Sequence, residues 1–115
     1  MVQRDAARDD EQEITPIELG ERVARGDVLQ LIDVREPNEH AFARIDGARL
    51  IPLRTLPQRS EDLDRETEMV VFCHHGMRSA QAVAFLRSRG FSRARNLAGG
   101  IDRWSVDVDP AVPRY

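Results

Sequence analysis

A single cysteine, Cys73, sits in the run Phe72-Cys73-His74-His75-Gly76-Met77-Arg78-Ser79. The residues before it, Met69-Val70-Val71-Phe72, are apolar and β-leaning, the composition of a short buried strand. The residues after it, Ala80 to Arg89, have helix-forming composition. A cysteine between a strand end and a helix start faces free backbone N–H groups and the positive end of a helix dipole. Both favour thiolate over thiol, and a thiolate is a nucleophile. Gly76 allows a tight turn with its N–H pointing inward. Arg78 offers a planar set of donors suited to sulfonate, sulfate or phosphate oxygens. Ser79 is placed to cap the following helix, and His74 and His75 can add positive charge or polar contacts.

The elements that must position this loop are readable on both sides. Thr15-Pro16-Ile17-Glu18 is a helix start with Thr15 as N-cap, and that helix runs to about Arg25 and stops at Gly26. Val28 to Asp33 is a largely apolar strand, Pro37 to Ala43 a short helix, and Arg49 to Ile51 a brief strand. Pro52 to Leu63 holds irregular helical turns, and Met69 to Phe72 is the central strand. In the helix after Cys73, Ala80, Val83, Ala84 and Leu86 are expected to face the core, with Gln81, Arg87 and Arg89 outward. Gly90 ends it, with Phe91 set for a C-cap contact. Ala94 to Leu97 is a further strand, and Gly99-Gly100 is a turn into a last helix carrying Trp104, expected in the core. Alternating short strands and helices predict an α/β fold, a parallel sheet of about five short strands flanked by helices on both faces. Ligands of such sheets bind beyond the carboxyl ends of the strands, which is where Cys73 lies. Residues 1–12 are polar and are expected to fray, leaving residues 13–115 as a single domain.

The cysteine run resembles the active-site loop of the rhodanese family, sulfurtransferases that carry sulfur as a cysteine persulfide. Three further segments agree in the family's order. Leu31-Ile32-Asp33-Val34-Arg35-Glu36-Pro37-Asn38-Glu39 resembles a strand ending in Asp-x-Arg before a short helix. Ile45-Asp46-Gly47-Ala48-Arg49-Leu50-Ile51-Pro52 is similar to the turn-and-strand element that follows, and Asn96-Leu97-Ala98-Gly99-Gly100-Ile101-Asp102-Arg103-Trp104 to the closing element. The sequence departs from the pattern at Arg44, where the family usually has a histidine. The resemblance implies a rhodanese-like fold and catalysis by Cys73. It also implies binding of the donor and terminal sulfur by His74, His75, Gly76, Met77, Arg78 and Ser79. Asp33 and Arg35 are implied as a pair that supports the site rather than performing chemistry.

Composition narrows the alternatives. At 115 residues, 41% hydrophobic and 32% charged, the chain suits one globular core. Its net charge of −3, with all 17 basic residues arginine and none clustered in a dominant block, gives no electrostatic case for nucleic acid. The absence of lysine excludes Schiff-base chemistry. A lone cysteine fits a reducing compartment, no apolar stretch suits a bilayer span, and the first residues lack the apolar region of a secretion signal. The expected location is therefore cytoplasmic. Zinc is disfavoured because Cys73, His74 and His75 are consecutive and only His40 remains among the histidines. A cysteine hydrolase would need His40 as its base.

The leading expectation is a sulfurtransferase that moves sulfane sulfur from a small-molecule donor such as thiosulfate to a cyanide, thiol or protein acceptor. It would work through a persulfide on Cys73, with no cofactor, no metal, and neither nucleic acid nor membrane as partner. One alternative is a persulfide carrier or sensor acting with a protein partner. Another is an arsenate reductase or phosphatase on the same fold. Cysteine phosphatases have one more residue between cysteine and arginine than the four here, His74 to Met77, and carry arginine where this chain has Ser79.

Overall fold

Thr15 and Pro16 open the first helix as their types dictate. Thr15 keeps an extended backbone, and its hydroxyl accepts a hydrogen bond from the Glu18 N–H at 3.1 Å. Pro16 takes a helical position at which no N–H is needed. The computed structural model describes residues 12–115, so the frayed segment expected over residues 1–12 falls, Gln12 apart, outside the described residues.

Strands β1 (Glu13–Ile14), β2 (Gln30–Asp33), β3 (Arg49–Leu50), β4 (Met69–Phe72) and β5 (Ala94–Leu97) form one parallel sheet in the order β1-β5-β4-β2-β3. Helices α1 (Pro16–Ala24), α2 (Pro37–Phe42), α3 (Leu56–Arg59) and α4 (Met77–Ser88) connect them, and α5 (Gly100–Asp107) follows β5. Short 3₁₀ turns at Leu53–Thr55 and Ser60–Asp62 flank α3. The α/β class and the five parallel strands are as the sequence predicts.

The central strand explains its own composition. Met69 and Val71 pack with Leu56, Leu63, Val83, Leu86 and Phe91 on one face of the sheet. Val70 and Phe72 pack with Leu19, Leu97, Ile101 and Trp104 on the other. A strand covered on both faces has no polar side to show, hence the unbroken apolar run. Each such buried side chain contributes about 1.5–3 kcal/mol. Register then sets the site. Asp33 pairs with Phe72, and the Val34 N–H donates to the Phe72 carbonyl at 3.1 Å, so the ends of β2 and β4 lie side by side.

Five details differ from expectation. Strand β1 was not anticipated. It pairs with β5 through Glu13 opposite Asn96 and Ile14 opposite Leu97. Strand β2 starts at Gln30, and Val28, which pairs with nothing in the sheet, is 81% exposed. Helix α4 begins at Met77, with Gly76 as a left-handed N-cap (φ 109°), so Ser79 lies inside the first turn and does not cap. Its buried stripe is Ser79, Ala82, Val83 and Leu86, while Ala80 and Ala84 are exposed, because Ser79 must turn inward to meet the sulfur. Arg87 is half-buried, its Nε donating to the Ala94 carbonyl at 2.9 Å. Arg44 is exposed between buried Ala43 and Ile45, so the residue in place of the family histidine leaves the core untouched. Among the described residues no helix is long and apolar enough to cross a membrane.

Candidate active site

Cys73 follows the last residue of β4, and its side chain is 1% exposed. Burying a thiol would ordinarily favour its neutral form. Here the chain turns back on the sulfur: Gly76 N lies 3.1 Å from Sγ, and Ser79 N and Ser79 Oγ each lie 3.3 Å away. Burial pushes the thiol up. The N–H groups of Ser79, Gly76 and Arg78 act the other way, and the thiol sits below its ordinary value. These N–H groups belong to the first turn of α4, where the helix itself leaves them without partners.

Arg78 does not stand open to solvent as a free fork. Its Nη1 and Nη2 donate to Glu39 Oε2 and Oε1 at 2.7 and 2.9 Å, tying α4 to α2. Arg78 holds the Glu39 carboxyl down to about 2, against the opposing effect of burial. The fork that the sequence offers to an anionic donor is thus already engaged, and what remains for a ligand is the rest of the guanidinium. Glu39 also accepts from the Tyr115 hydroxyl at 2.9 Å.

Behind the loop, Asp33 and Arg35 form a hydrogen-bonded brace. Both are fully buried. Arg35 Nε and Nη2 donate to Asp33 Oδ1 and Oδ2 at 2.9 and 2.7 Å, and Nη1 donates to the Tyr115 hydroxyl at 2.8 Å. Burial works against the Arg35 charge, but Asp33 and Tyr115 outweigh it and the guanidinium is held more firmly than usual. His40 joins this group, its Nδ1 lying 2.9 Å from Asp33 Oδ2. It is therefore engaged with the brace and does not serve the sulfur as a hydrolase base would.

The two loop histidines differ in setting. His74 stacks flat on the Tyr115 ring, with centroids 3.8 Å apart and planes 6° from parallel, and it also lies against His75. Burial, then the neighbouring His75, push the His74 pKa below its ordinary value and favour its neutral form. The glycine pair is more than a turn. The Ile101 and Asp102 N–H groups donate to the Cys73 and His74 carbonyls at 2.9 and 3.1 Å, so the start of α5 grips the cysteine loop from behind. A side chain at Gly100 would stand 2.3 Å from the His74 carbonyl oxygen.

Sequence reasoning missed Glu39 as the Arg78 partner, Asn96 beneath Ser79, and Tyr115. The Glu39 pairing had a signal, an acidic residue on the short helix after the Asp-x-Arg strand end. Tyr115, remote in sequence, had none. Among the described residues no three histidine, cysteine or carboxylate side chains converge as a metal set. A cleft of about 320 Å³ lined by Glu68, Arg87, Arg93 and Arg95 lies at the opposite ends of the strands, away from Cys73.

Comparison with known proteins agrees with this geometry. The family model for the Rhodanese-like domain matches residues 15–107. The chain is 42% identical over 93 residues to the chloroplastic Rhodanese-like/PpiC domain-containing protein 12 of Arabidopsis thaliana, covering 77% of this chain but 31% of that one. It likewise spans 26% of the mycobacterial probable adenylyltransferase/sulfurtransferase MoeZ, so it corresponds to about a third or less of these longer relatives. A sulfurtransferase of Allochromatium vinosum is 36% identical over 100 residues, with 87% of this chain and 94% of that one covered. The human single domain sulfurtransferase TSTD1 superposes with a TM-score of 0.76 at 31% identity, covering 84% of this chain and 96% of its own. With the family model matched over residues 15–107 and single-domain relatives covered almost end to end, the chain belongs to the rhodanese-like domain family.

Proposed function

We propose that this protein is a sulfurtransferase that takes sulfane sulfur from a donor such as thiosulfate and passes it to a thiol, protein or cyanide acceptor through a persulfide on Cys73. The observation that carries the reading is the buried Sγ set 3.1 Å from Gly76 N and 3.3 Å from Ser79 N at the end of β4. In the first half-reaction the thiolate attacks the outer sulfur of thiosulfate. A sulfur–sulfur bond forms to Cys73, the bond to the sulfonate sulfur breaks, and sulfite leaves with the electron pair. The terminal sulfur then carries the negative charge and rests among the N–H groups of residues His74 to Ser79, the kind of preorganised donor set that stabilises an anion without rearrangement. In the second half-reaction the acceptor attacks that terminal sulfur and Cys73 departs as thiolate. Cyanide yields thiocyanate; a thiol yields its own persulfide. Neither half needs a cofactor, and the reaction should be ping-pong.

Arg78 acts in this scheme chiefly by fixing the loop against Glu39, with its remaining N–H groups available to the donor. Asp33 and Arg35 support from behind. The names of the relatives favour sulfur transfer over phosphate chemistry, and a cytoplasmic location accords with a free, reduced cysteine. The test is intact mass after incubation with thiosulfate. Wild-type protein should gain one sulfur that cyanide removes. Cys73→Ser, folded by circular dichroism, should gain none. A folded Cys73→Ser protein that still turns thiosulfate over would overturn the proposal.

A further inference from the structure

Asn96, on β5 beside the cysteine strand, is a buried polar side chain that the sulfur-transfer scheme leaves without a task; it is 5% exposed. Its Nδ2 donates to Glu13 Oε2 at 2.9 Å and to the Gly76 carbonyl at 3.2 Å. A carboxylate and a peptide carbonyl only accept, so this side of the amide must be the NH₂ group. The amide oxygen then faces Ser79 Oγ at 2.6 Å and needs its proton. Ser79 Oγ also lies 3.3 Å from Cys73 Sγ. A serine hydroxyl has one proton, and the shorter contact, to an acceptor with a fixed orientation, claims it. What Ser79 turns toward sulfur is a lone pair.

We infer that Asn96 is a positioning residue that sets the ionisation of Cys73 through the Ser79 hydroxyl, withholding a hydrogen bond from the thiolate and offering the thiol proton an acceptor. The backbone N–H groups of Gly76, Arg78 and Ser79 still hold the thiol below its ordinary value; the Asn96 link limits how far. The arrangement suits a loaded cysteine. In a persulfide the inner sulfur is neutral and the charge sits on the outer one, so a lone pair beside Sγ is tolerated there and resisted in the free thiolate. The inference rests on Cys73 being the nucleophile of the proposed function. Its test reads thiol ionisation and not sulfur transfer, so either can fail without the other.

The ionisable groups packed around the loop are Arg78 with Glu39 of α2, His74 and His75, Tyr115 against His74 and Glu39, Asp102 of α5, the Asp33–Arg35 pair at the end of β2, and Glu13 reached through Asn96. None is altered in the variants that follow. The Gly76 carbonyl also keeps a bond from the Ala80 N–H when Asn96 is replaced. The measurement is the midpoint of the pH dependence of iodoacetamide alkylation in wild type, Asn96→Leu, Ser79→Ala and the double variant. Asn96→Leu frees the hydroxyl to donate to sulfur, so the midpoint should fall by about one pH unit, a tenfold faster alkylation below it. Ser79→Ala alone should leave the midpoint in place or lower it. In the Asn96→Leu background the same change should raise it by about one unit. Mere loosening of the loop would instead raise the midpoint in Asn96→Leu. That result, an unchanged midpoint in Asn96→Leu, or a rise on Ser79→Ala alone, means the hydroxyl already donates to sulfur and overturns the inference. Ser79→Ala removes one heavy atom and decides the matter by itself if Asn96→Leu does not fold.

Discussion

One added methyl group should separate two roles of glycine in this fold. Gly100 has φ 66°, and a Cβ there would stand 2.3 Å from the His74 carbonyl oxygen and 2.7 Å from that of Cys73. Gly26 has a similar φ of 81°, but a Cβ there meets nothing within 4 Å. Gly100→Ala and Gly26→Ala therefore share the cost of a left-handed L-residue, about 1–2 kcal/mol. Only at Gly100 must backbone also move, and the bonds that would break are those from the Ile101 and Asp102 N–H groups to the Cys73 and His74 carbonyls. At about 1 kcal/mol each, their loss makes Gly100→Ala the more destabilising change by about 2 kcal/mol. For a domain of this size that separates the melting temperatures by roughly 8–16 °C. The assay is thermal unfolding of both variants followed by circular dichroism, with sulfur loading from thiosulfate measured below both transitions. Gly26→Ala should load like wild type, and Gly100→Ala should load slowly because the loop has been pushed off its support. Equal melting temperatures and equal loading would refute the claim that α5 holds the cysteine loop.

Further predictions concern charge and selectivity. The wild-type alkylation rate should rise with pH to a plateau with its midpoint below the value of about 8.5 for an unperturbed thiol, because the loop N–H groups favour the thiolate; a midpoint at or above it would contradict the site geometry. Arg78 holds the Glu39 carboxyl at about 2 rather than 4.5, so this pair stabilises the fold fully above 4.5 and loses that effect as pH falls toward 2. Glu39→Gln should accordingly cost about 1 kcal/mol by urea unfolding at neutral pH, an amount held down by partial exposure. Its deficit should shrink on acidification, and a deficit independent of pH would rule out the charge as its source. With four residues between Cys73 and Arg78 and the Arg78 fork closed by Glu39, Cys73-dependent hydrolysis of p-nitrophenyl phosphate should be negligible beside thiosulfate turnover. Comparable rates would promote the phosphatase reading.

Much of the site was legible because its signals are local. Phe72-Cys73 announces itself by an apolar run that ends abruptly at polar residues, and Thr15, Gly90 and Phe91 by cap chemistry. The failures arise where partners are remote or an element is too short to show a period. Glu13–Ile14 is a two-residue strand recognisable only by what β5 offers it. Ser79 carries the right residue type for a cap, but Gly76 starts the helix early and turns the serine onto the sulfur. Arg78 reads as an anion receptor until Glu39, on another helix, is brought against it. Asp33 and Arg35 were legible as a pair, two residues apart on one strand end, whereas Tyr115, which completes their hydrogen bonding, gave no local sign.

The supports of Cys73 come from both extremes of the described chain. Asn96 is held by Glu13, 83 residues away, and Arg35 by Tyr115, 80 residues away. Contacts of such separation form late, because closing long loops must precede any reward for doing so. The strand that bears the cysteine is therefore expected to collapse into the sheet before Asn96 and Arg35 acquire these partners. During refolding, burial of Cys73 and the final setting of its ionisation should be separate events, burial coming first. The Gly76 and Ser79 N–H groups, three and six residues from the cysteine, can meet the sulfur as soon as α4 forms, whereas the Asn96 link that restrains the thiolate waits for Glu13 to dock.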